Sequence, residues 1–440
     1  MSWLRALRRL WRYAPFRRLL ILRLFAQAAD GTLQVGMASY VLFSPQSQPD
    51  AWAIAAVLAV SLLPFTLVGP FVSPLLDVWS RRDVALYTDV ARAVLSLVMA
   101  GMVLADWTTG LGHGVLLVSL LVALSLNRFM LAGLSAGMHH TVSEREFLAA
   151  SAIIPAMGPL GVVLGGVIGV GIRLGLAGLL GARQADAVIF TAAAGLFVAA
   201  AVVAGSFARE ALGPERPRDV GSAGVIWSGL RQAAGHLRQR PAAVLALANM
   251  AVTRHLFGLL SVAMILVARN RWHSVAEADA ALADLSVWGA CAGAGFMLAA
   301  LVVPSLVAQF GLRWSLLGLL AVGAFAMALA SFSDLFVLLC LVGFLMGLVT
   351  QAVKICADAV VHAHVDEGFK GRVFTFYDVG FNGAYVLAAV AAAFLLPSDG
   401  VSAPAFAAMS LTCCGLVVLS SWGIAQVSVE DFERGTEDIA

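Results

Sequence analysis

Long apolar stretches, each about the length of a membrane-spanning helix, follow one another along the whole chain. A helix needs about 20 apolar residues to cross a bilayer, and unsatisfied backbone groups exclude open strands there. Polar or charged residues separate the stretches from one another. The pattern predicts twelve transmembrane helices, at 20–43, 52–76, 84–105, 113–138, 149–172, 187–206, 242–268, 287–308, 314–332, 335–359, 373–396 and 405–425.

Composition agrees with a chain that is embedded in lipid. Of the 440 residues, 61% are hydrophobic and only 12% are charged, and the mean hydropathy is +0.91. In a soluble domain about a quarter of the residues are charged, so a chain made only of soluble domains is excluded. The net charge of +2 and the lack of a basic domain give no reason to expect a nucleic-acid partner. Nearly all of the 28 cationic residues are arginine, a bias typical of a high-GC bacterial genome.

Positive charges predict which side of the membrane each loop faces. Cytoplasmic loops carry an excess of Lys and Arg. With both termini inside, the inner segments hold 19 of the 28 Lys and Arg residues, the outer loops hold four, and five lie within spans. Arg23 interrupts the first apolar stretch, which favours an uncleaved span over a signal peptide. We expect a multi-pass protein of the inner (cytoplasmic) membrane with both termini in the cytoplasm.

Two short segments of the first half recur in the second half. Residues 73–82, after the second span, align with 304–313 after the eighth span at an offset of 231. Residues 139–144, after the fourth span, align with 362–367 after the tenth span at an offset of 223. Parallel six-span repeats are one architecture of secondary transporters. We therefore expect two pseudo-symmetric six-helix bundles in the same orientation.

The loop between the predicted bundles and the end of the chain differ from the spans in composition. Within the loop, 225–240 has the pattern of an amphipathic surface helix, and a plain solvated linker is the alternative. The acidic end of the chain is expected to be disordered. The predicted domains are the bundles 1–207 and 242–425, the cytoplasmic loop 208–241, and the acidic cytoplasmic tail 426–440.

The loop after the second span resembles a signature of a known transporter family. The run Gly69-Pro-Phe-Val-Ser-Pro-Leu-Leu-Asp77-Val-Trp-Ser-Arg81-Arg82 is similar to Gly-x-x-x-Asp-Arg/Lys-x-Gly-Arg-Arg of the major facilitator superfamily. It departs from that signature at Ser73, Val78 and Ser80. The resemblance implies an all-α integral membrane protein with twelve transmembrane helices in two bundles, similar to bacterial efflux-type permeases. It also implies a conformational latch at Asp77, Arg81 and Arg82, for which a short solvated turn is the alternative.

A run of glycines in the fifth span has two interpretations. Residues 158–166 are similar to the antiporter motif Gly-Pro-x-x-Gly-Gly, but five residues instead of two separate its pairs. Gly161, Gly165 and Gly169 also form a stripe of small residues at helical spacing, which favours close helix packing. We favour packing over an antiport signature.

Polar residues at membrane depth form the candidate site. An ionisable residue there costs at least about 2.5–3.5 kcal/mol on insertion scales, so each one indicates a function or a partner. These residues fall on spans one, four, seven and ten, which line the central cavity in the family that the chain resembles. The candidate substrate and proton cavity consists of Gln27, Asp30, Gln34, Asn127, Arg128, Arg254, His255, Gln351, Lys354 and Asp358.

The predicted repeat relates Asp30 to Arg254 at an offset of 224. Either the two form an ion pair that closes a gate, or Asp30 carries a proton, and both alternatives stay open. Lys354 and Asp358 have the i, i+4 spacing of a pair along one helix. Asp89 and Arg92 in the third span are assigned mainly to fastening helices together.

Secondary transport is the expected function, because no nucleotide-binding P-loop occurs in the sequence. The resemblance implies proton-coupled export of a small drug-like or metabolite substrate. Uptake of a small organic anion, favoured by the positive excess in the cavity, and a non-transporting membrane sensor or scaffold are the alternatives. We expect a monomer with a small-molecule substrate, a proton or other coupling ion and the lipid bilayer as partners. We expect no enzymatic activity, cofactor or metal.

Overall fold

The computed structural model describes residues 8–42, 52, 54–59, 79–107, 111–213, 223–427 and 432–433. Within these residues the regular secondary structure is entirely helical. Nine helices of this described part are long and apolar enough to cross a membrane. The long helices are α1 (Ala14–Leu42), α2 (Arg81–Leu104), α3 (Leu111–Gly137), α4 (Glu144–Leu180), α5 (Ala182–Gly205), α6 (Ala223–Arg238), α7 (Pro241–Leu266), α8 (Ala278–Ala330), α9 (Phe336–His364), α10 (Glu367–Leu395) and α11 (Ala403–Val427).

Eleven of the twelve predicted spans coincide with helices in the described residues. Helix α8 contains two of them, 287–308 and 314–332. The backbone leaves helical geometry between the two, at Gly311, where φ is 75°. The predicted span 52–76 lies mostly outside the described residues, which include only a helical piece at 54–59. Helix α4 runs eight residues beyond the predicted end at 172, so Arg173 lies on a helix and is buried, although the sequence assigned it to an outer loop.

The chain forms two compact units. The first comprises 1–47 and 63–222 and contains α1 to α5, and the second comprises 48–62 and 223–440 and contains α6 to α11. In the second unit, Trp52 packs edge-on against Phe394 of α10, with ring centroids 4.9 Å apart. The assignment of all of 1–207 to a single bundle therefore stays a prediction.

Helices α1 and α4 approach each other closely at the glycine stripe. A Cβ atom added to Gly165 would lie against the backbone carbonyl of Ala28. The Thr32 hydroxyl donates to the carbonyls of Ala28, at 2.9 Å, and Gly165, at 3.0 Å. A larger residue at this position would separate the two backbones. The packing interpretation of the stripe is therefore confirmed at this contact.

A helix occupies the second half of the predicted central loop. Helix α6 packs on α7 and α10, where Ala233 is buried in one cluster with Ala243 and Val373. The imidazole of His236 stacks on the ring of Phe369 with a centroid distance of 4.4 Å. The helical alternative for this segment is confirmed, and its location on a membrane surface stays a prediction.

The expectation that the acidic tail is disordered is wrong for its described residues. Phe432 is fully buried in the core of the second unit, in the cluster that contains Leu316 and Ile424. The Glu433 carboxylate accepts the backbone N–H groups of Leu312, at 2.7 Å, and Arg313, at 2.9 Å. Two interactions stabilise this arrangement: the Phe432 ring is buried, and the Glu433 carboxylate lies at a helix N-terminus. The acidic composition of the tail does not predict either contact.

Candidate functional site

Three charged side chains meet in the interior of the first unit. Arg92 of α2 binds Asp30 of α1 through Nη2 and Asp89 of its own helix through Nη1, the latter at 2.9 Å. The side chains of all three residues are buried. The ring of Phe197 on α5 covers the guanidinium, with its centroid 4.1 Å from Cζ of Arg92. Two carboxylates thus share one guanidinium, and the three residues are called the acidic triad below.

A hydrogen-bonded amide connects the acidic triad to α3. The Gln27 side chain donates one N–H to Oδ2 of Asp30, at 3.0 Å, and another to Oδ1 of Asn127, at 3.1 Å. Gln27 and Asp30 lie three residues apart on α1, so they share one face of that helix. The structure therefore brings together Gln27, Asp30 and Asn127 of the predicted site residues.

Asp30 has an ion-pair partner within its own unit. The guanidinium that binds Asp30 belongs to Arg92 of the same unit, and the gate-closing pair with Arg254 stays a prediction. Asp89 and Arg92 were assigned mainly to fastening helices, and the structure adds both to the candidate site. The sequence contained a signal for these two residues, because an acidic and a basic residue three positions apart are unusual within an apolar span.

Two further predicted residues of the first unit lie apart from the acidic triad. Gln34 on α1 is exposed, although it is four residues from Asp30. Arg128 on α3 is half-buried and follows Asn127 directly. The described hydrogen bonds connect neither side chain to Asp30.

Aromatic rings surround Arg254 in the second unit. Its guanidinium carbon lies 4.4 Å from the ring centroid of Phe381 and 4.5 Å from that of Tyr385, both on α10. The Nε atom is buried without a hydrogen-bond partner, and no carboxylate among the described residues forms an ion pair with Arg254. Each cation–π contact contributes about 0.5–2 kcal/mol, depending on desolvation. The rings stabilise the cation, but they leave its charge uncompensated.

Lys354 and Asp358 pair along α9 as the sequence predicted. The distance between Nζ and Oδ2 is 3.1 Å, and both side chains are half-buried. The Lys354 ammonium also lies 5.1 Å from the ring centroid of Tyr377 and 5.8 Å from that of Phe381. Phe381 therefore lies near both cations of this site. Gln351, on the same helix, is half-buried.

His255 lies beside a cavity of about 510 Å³ in the second unit. Its Nδ1 atom is 3.0 Å from the carbonyl oxygen of Ala384. Ser402 and Thr412 supply hydroxyl groups to the lining, and the other lining residues are apolar. The volume is within the range of pockets that hold small molecules. Among the described residues, no group of three His, Cys, Asp or Glu side chains could hold a metal ion.

The predicted latch is only partly within the described residues. Asp77 lies outside them. Arg82 donates to the carbonyls of Gly205, at 3.0 Å, and Phe207, at 3.3 Å, at the end of α5. Arg81 donates to the carbonyl of Leu212 at 3.2 Å. Both cations therefore bind carbonyl groups at and after a helix C-terminus, where the helix dipole favours positive charge.

Comparison with known proteins decides the family. No protein-family model matches the chain. An MFS-type transporter of Mycobacterium tuberculosis is 32% identical over 410 residues, which cover 92% of this chain and 90% of the relative. The chain belongs to the major facilitator superfamily. It is a multi-pass membrane transporter of that type, as the loop signature at Asp77, Arg81 and Arg82 indicated.

Solved structures of other transporters have the same fold as this major facilitator. The nucleoside transporter NupG matches with a TM-score of 0.65 and 12% identity, over 93% of this chain and 99% of NupG. A variant of the Escherichia coli fucose:proton symporter FucP matches with a TM-score of 0.58 and 12% identity, over 93% of this chain and 98% of FucP. At such low identity the likeness establishes the all-helical facilitator fold and nothing about the substrate.

Proposed function

We propose that this facilitator exports a small drug-like or metabolite substrate and couples export to proton entry by alternating access. The observation that carries the proposal is the acidic triad, in which Asp30 and Asp89 share the single cation of Arg92. With both carboxylates ionised, this buried group has a net charge of −1. An unbalanced charge in a membrane interior is costly, and one proton removes it. Proton coupling is compatible with the fold, because a fucose:proton symporter shares it.

Uptake of a small organic anion is the second candidate function, and one observation favours it. Arg254 is a cation without an ion-pair partner among the described residues. An anionic substrate would supply the missing charge, and the rings of Phe381 and Tyr385 would contact its apolar part. The ten residues predicted from the sequence as the substrate and proton cavity stay proposed for that role.

We also propose that the protein is a monomer in the inner membrane with both termini in the cytoplasm. The support is the distribution of Lys and Arg, 19 in the inner segments against four in the outer loops. Asp77, Arg81 and Arg82 would form the conformational latch at the cytoplasmic side. The contacts of Arg81 and Arg82 with carbonyls after α5 support this role.

Proton flux in inverted membrane vesicles tests the proposed export. The vesicles hold a proton gradient that a pH-sensitive dye reports, and amphipathic cations and organic anions are added one at a time. For the wild type we expect at least one compound to dissipate the gradient. Asp30→Asn leaves one carboxylate for one guanidinium, so the response is expected to disappear.

Asp334→Asn is the matched control for the vesicle experiment. It removes a carboxylate from an exposed pair with Arg271, whose N–O distance is 2.9 Å, and should leave the response unchanged. A flat response across the panel with folded wild-type protein would contradict proton antiport. Uniport, symport or a non-transporting role would then become the better explanation.

A further inference from the structure

The four carboxylate oxygens of the acidic triad have different hydrogen-bond partners. Both oxygens of Asp30 accept N–H groups, Oδ1 from Arg92 and Oδ2 from Gln27. Oδ1 of Asp89 accepts from Nη1 of Arg92 at 2.9 Å. Oδ2 of Asp89 is buried and has no hydrogen-bond partner. A buried carboxylate oxygen without a donor has lost its hydration without replacement, which is unfavourable while it carries charge.

The charges around Asp89 come from two helices. Arg92 lies one turn away on α2, and Asp30 contacts the same guanidinium from α1. From α5, the neighbour of Arg92 is the uncharged ring of Phe197. Among the described contacts of these side chains, Arg92 is the single cation for the two carboxylates. Because Asp30 and Asp89 are both buried, solvent does not screen their mutual repulsion.

We propose that the coupling proton binds Oδ2 of Asp89, whereas Asp30 remains the ionised partner of Arg92. This inference rests on the proposed proton coupling and names the atom that carries it. The step is the addition of one proton to a carboxylate oxygen, and no other covalent bond changes. The net charge of the triad then changes from −1 to 0. Asp89 is a proton-binding residue in this scheme, and Asp30 is a positioning residue that holds Arg92.

Hydrogen-bond geometry disfavours Asp30 as the proton carrier. Each oxygen of Asp30 already accepts an N–H group, and a proton on that oxygen would remove its charge and make it a weaker acceptor. Gln27 cannot readily exchange its donor for an acceptor, because its second N–H is held by Asn127 at 3.1 Å. Protonating Asp30 would therefore weaken an existing charge-assisted hydrogen bond, whereas Oδ2 of Asp89 has no hydrogen bond to weaken.

Infrared spectroscopy of the full-length protein in lipid nanodiscs tests this assignment without any substrate. A protonated carboxyl group gives a C=O stretching band that shifts in D₂O, and the band is followed while the pH is varied. We expect a band that is lost in Asp89→Asn. Asp89→Glu should change the frequency of the band, and Asp30→Glu should leave the frequency unchanged. The two Glu variants keep a carboxyl group at each position, so the proton can still be assigned from their band frequencies if Asp89→Asn does not fold.

Asp186→Asn provides a matched control. Asp186 is also buried, but it forms an ion pair with Arg173 at 2.7 Å, and the band should not change in this variant. A band whose frequency changes in Asp30→Glu and not in Asp89→Glu would put the proton on Asp30 and overturn the inference. An identical set of titrating carboxyl bands in wild type and a folded Asp89→Asn variant would also overturn it. The infrared experiment needs no substrate. A failure of the vesicle experiment would therefore count against proton-coupled export, and a failure of the infrared experiment would count against Asp89 as the proton site.

Discussion

Three cations of this transporter, the buried Arg92 and Arg173 and the half-buried Arg254, are stabilised in three different ways. Arg92 is shared by two carboxylates, Arg173 pairs with Asp186, and Arg254 is enclosed by aromatic rings. Buried ion pairs offset their desolvation only when charge and hydrogen bonds are matched. The triad at Arg92 therefore has one negative charge in excess, and Arg254 has a positive charge in excess. Among the described residues, these are two positions where a proton or a charged ligand would improve the electrostatic balance.

Arg254 is expected to determine the affinity for anionic compounds if the protein transports them. Arg254→Gln keeps a polar side chain and removes the charge. Hydrogen bonds to charged groups contribute about 1.5–3 kcal/mol, which corresponds to a loss of affinity of roughly tenfold to a hundredfold. Calorimetric titration of the purified protein with organic anions measures this loss.

Arg313→Gln is the control for the Arg254 prediction. Arg313 is a cation at the start of the second part of α8, 5.0 Å from the ring centroid of Trp314, and its loss should not change anion affinity. Equal affinities of wild type and Arg254→Gln for every anion that binds would contradict a substrate role for Arg254.

The depth of the site residues could be predicted from the sequence, but their partners could not. Asp30 stands in the middle of an apolar run, and its position along the run gives its depth in the membrane. The neighbour across from it depends on which side chain of another helix the fold brings to that depth, which a single sequence does not specify. The offset of 224 suggested Arg254, and no pattern in the sequence pointed to Arg92, which binds Asp30 within the first unit. The pair Lys354–Asp358 was predictable because both residues lie on one helix.

At the scale of helices, the contact between α1 and α4 depends on the absence of side chains. Gly165→Ala would insert a methyl group against the Ala28 carbonyl and disturb the hydrogen bonds of Thr32. Overpacking of this kind costs about 1–3 kcal/mol. We expect a lower midpoint of thermal unfolding in detergent. Gly166→Ala is the matched control, because a Cβ atom at that position meets nothing within 4 Å. Equal midpoints for the two variants would show that this contact does not limit stability.

The hydropathy pattern predicted the positions of the helices well, but it predicted their lengths less well. Apolar length determines whether a segment can cross the bilayer, so the described spans matched. Helix ends depend on local contacts that hydropathy does not report. Helix α4 continues to Leu180, and Arg173, which looked like a loop cation, lies buried on it with Asp186 as its ion-pair partner. The break at Gly311 was predictable as a short loop, since glycine readily adopts positive φ.

At the scale of the whole molecule, the two sequence repeats start corresponding helices by different means. Ser80 caps α2 locally, and its hydroxyl accepts the backbone N–H of Asp83 at 3.3 Å. The aligned residue of the second repeat is Gly311, which has no side chain to accept such a bond. Glu433, more than a hundred residues further along the chain, supplies the acceptor there. An acidic tail that looks like solvated chain in the sequence thereby replaces a cap that the second repeat lacks.

This replacement predicts that the tail stabilises the start of the second part of α8. Glu433→Gln removes the negative charge that accepts the N–H groups of Leu312 and Arg313. Losing such a cap costs about 0.5–2 kcal/mol. Hydrogen exchange at those two amides should therefore accelerate roughly twofold to thirtyfold, since 1.4 kcal/mol corresponds to a factor of ten. Glu210→Gln, at an exposed carboxylate in the first unit, should leave the exchange unchanged. Unaltered exchange in Glu433→Gln would mean that Phe432 alone holds the tail, because burial of its ring does not depend on the charge of its neighbour.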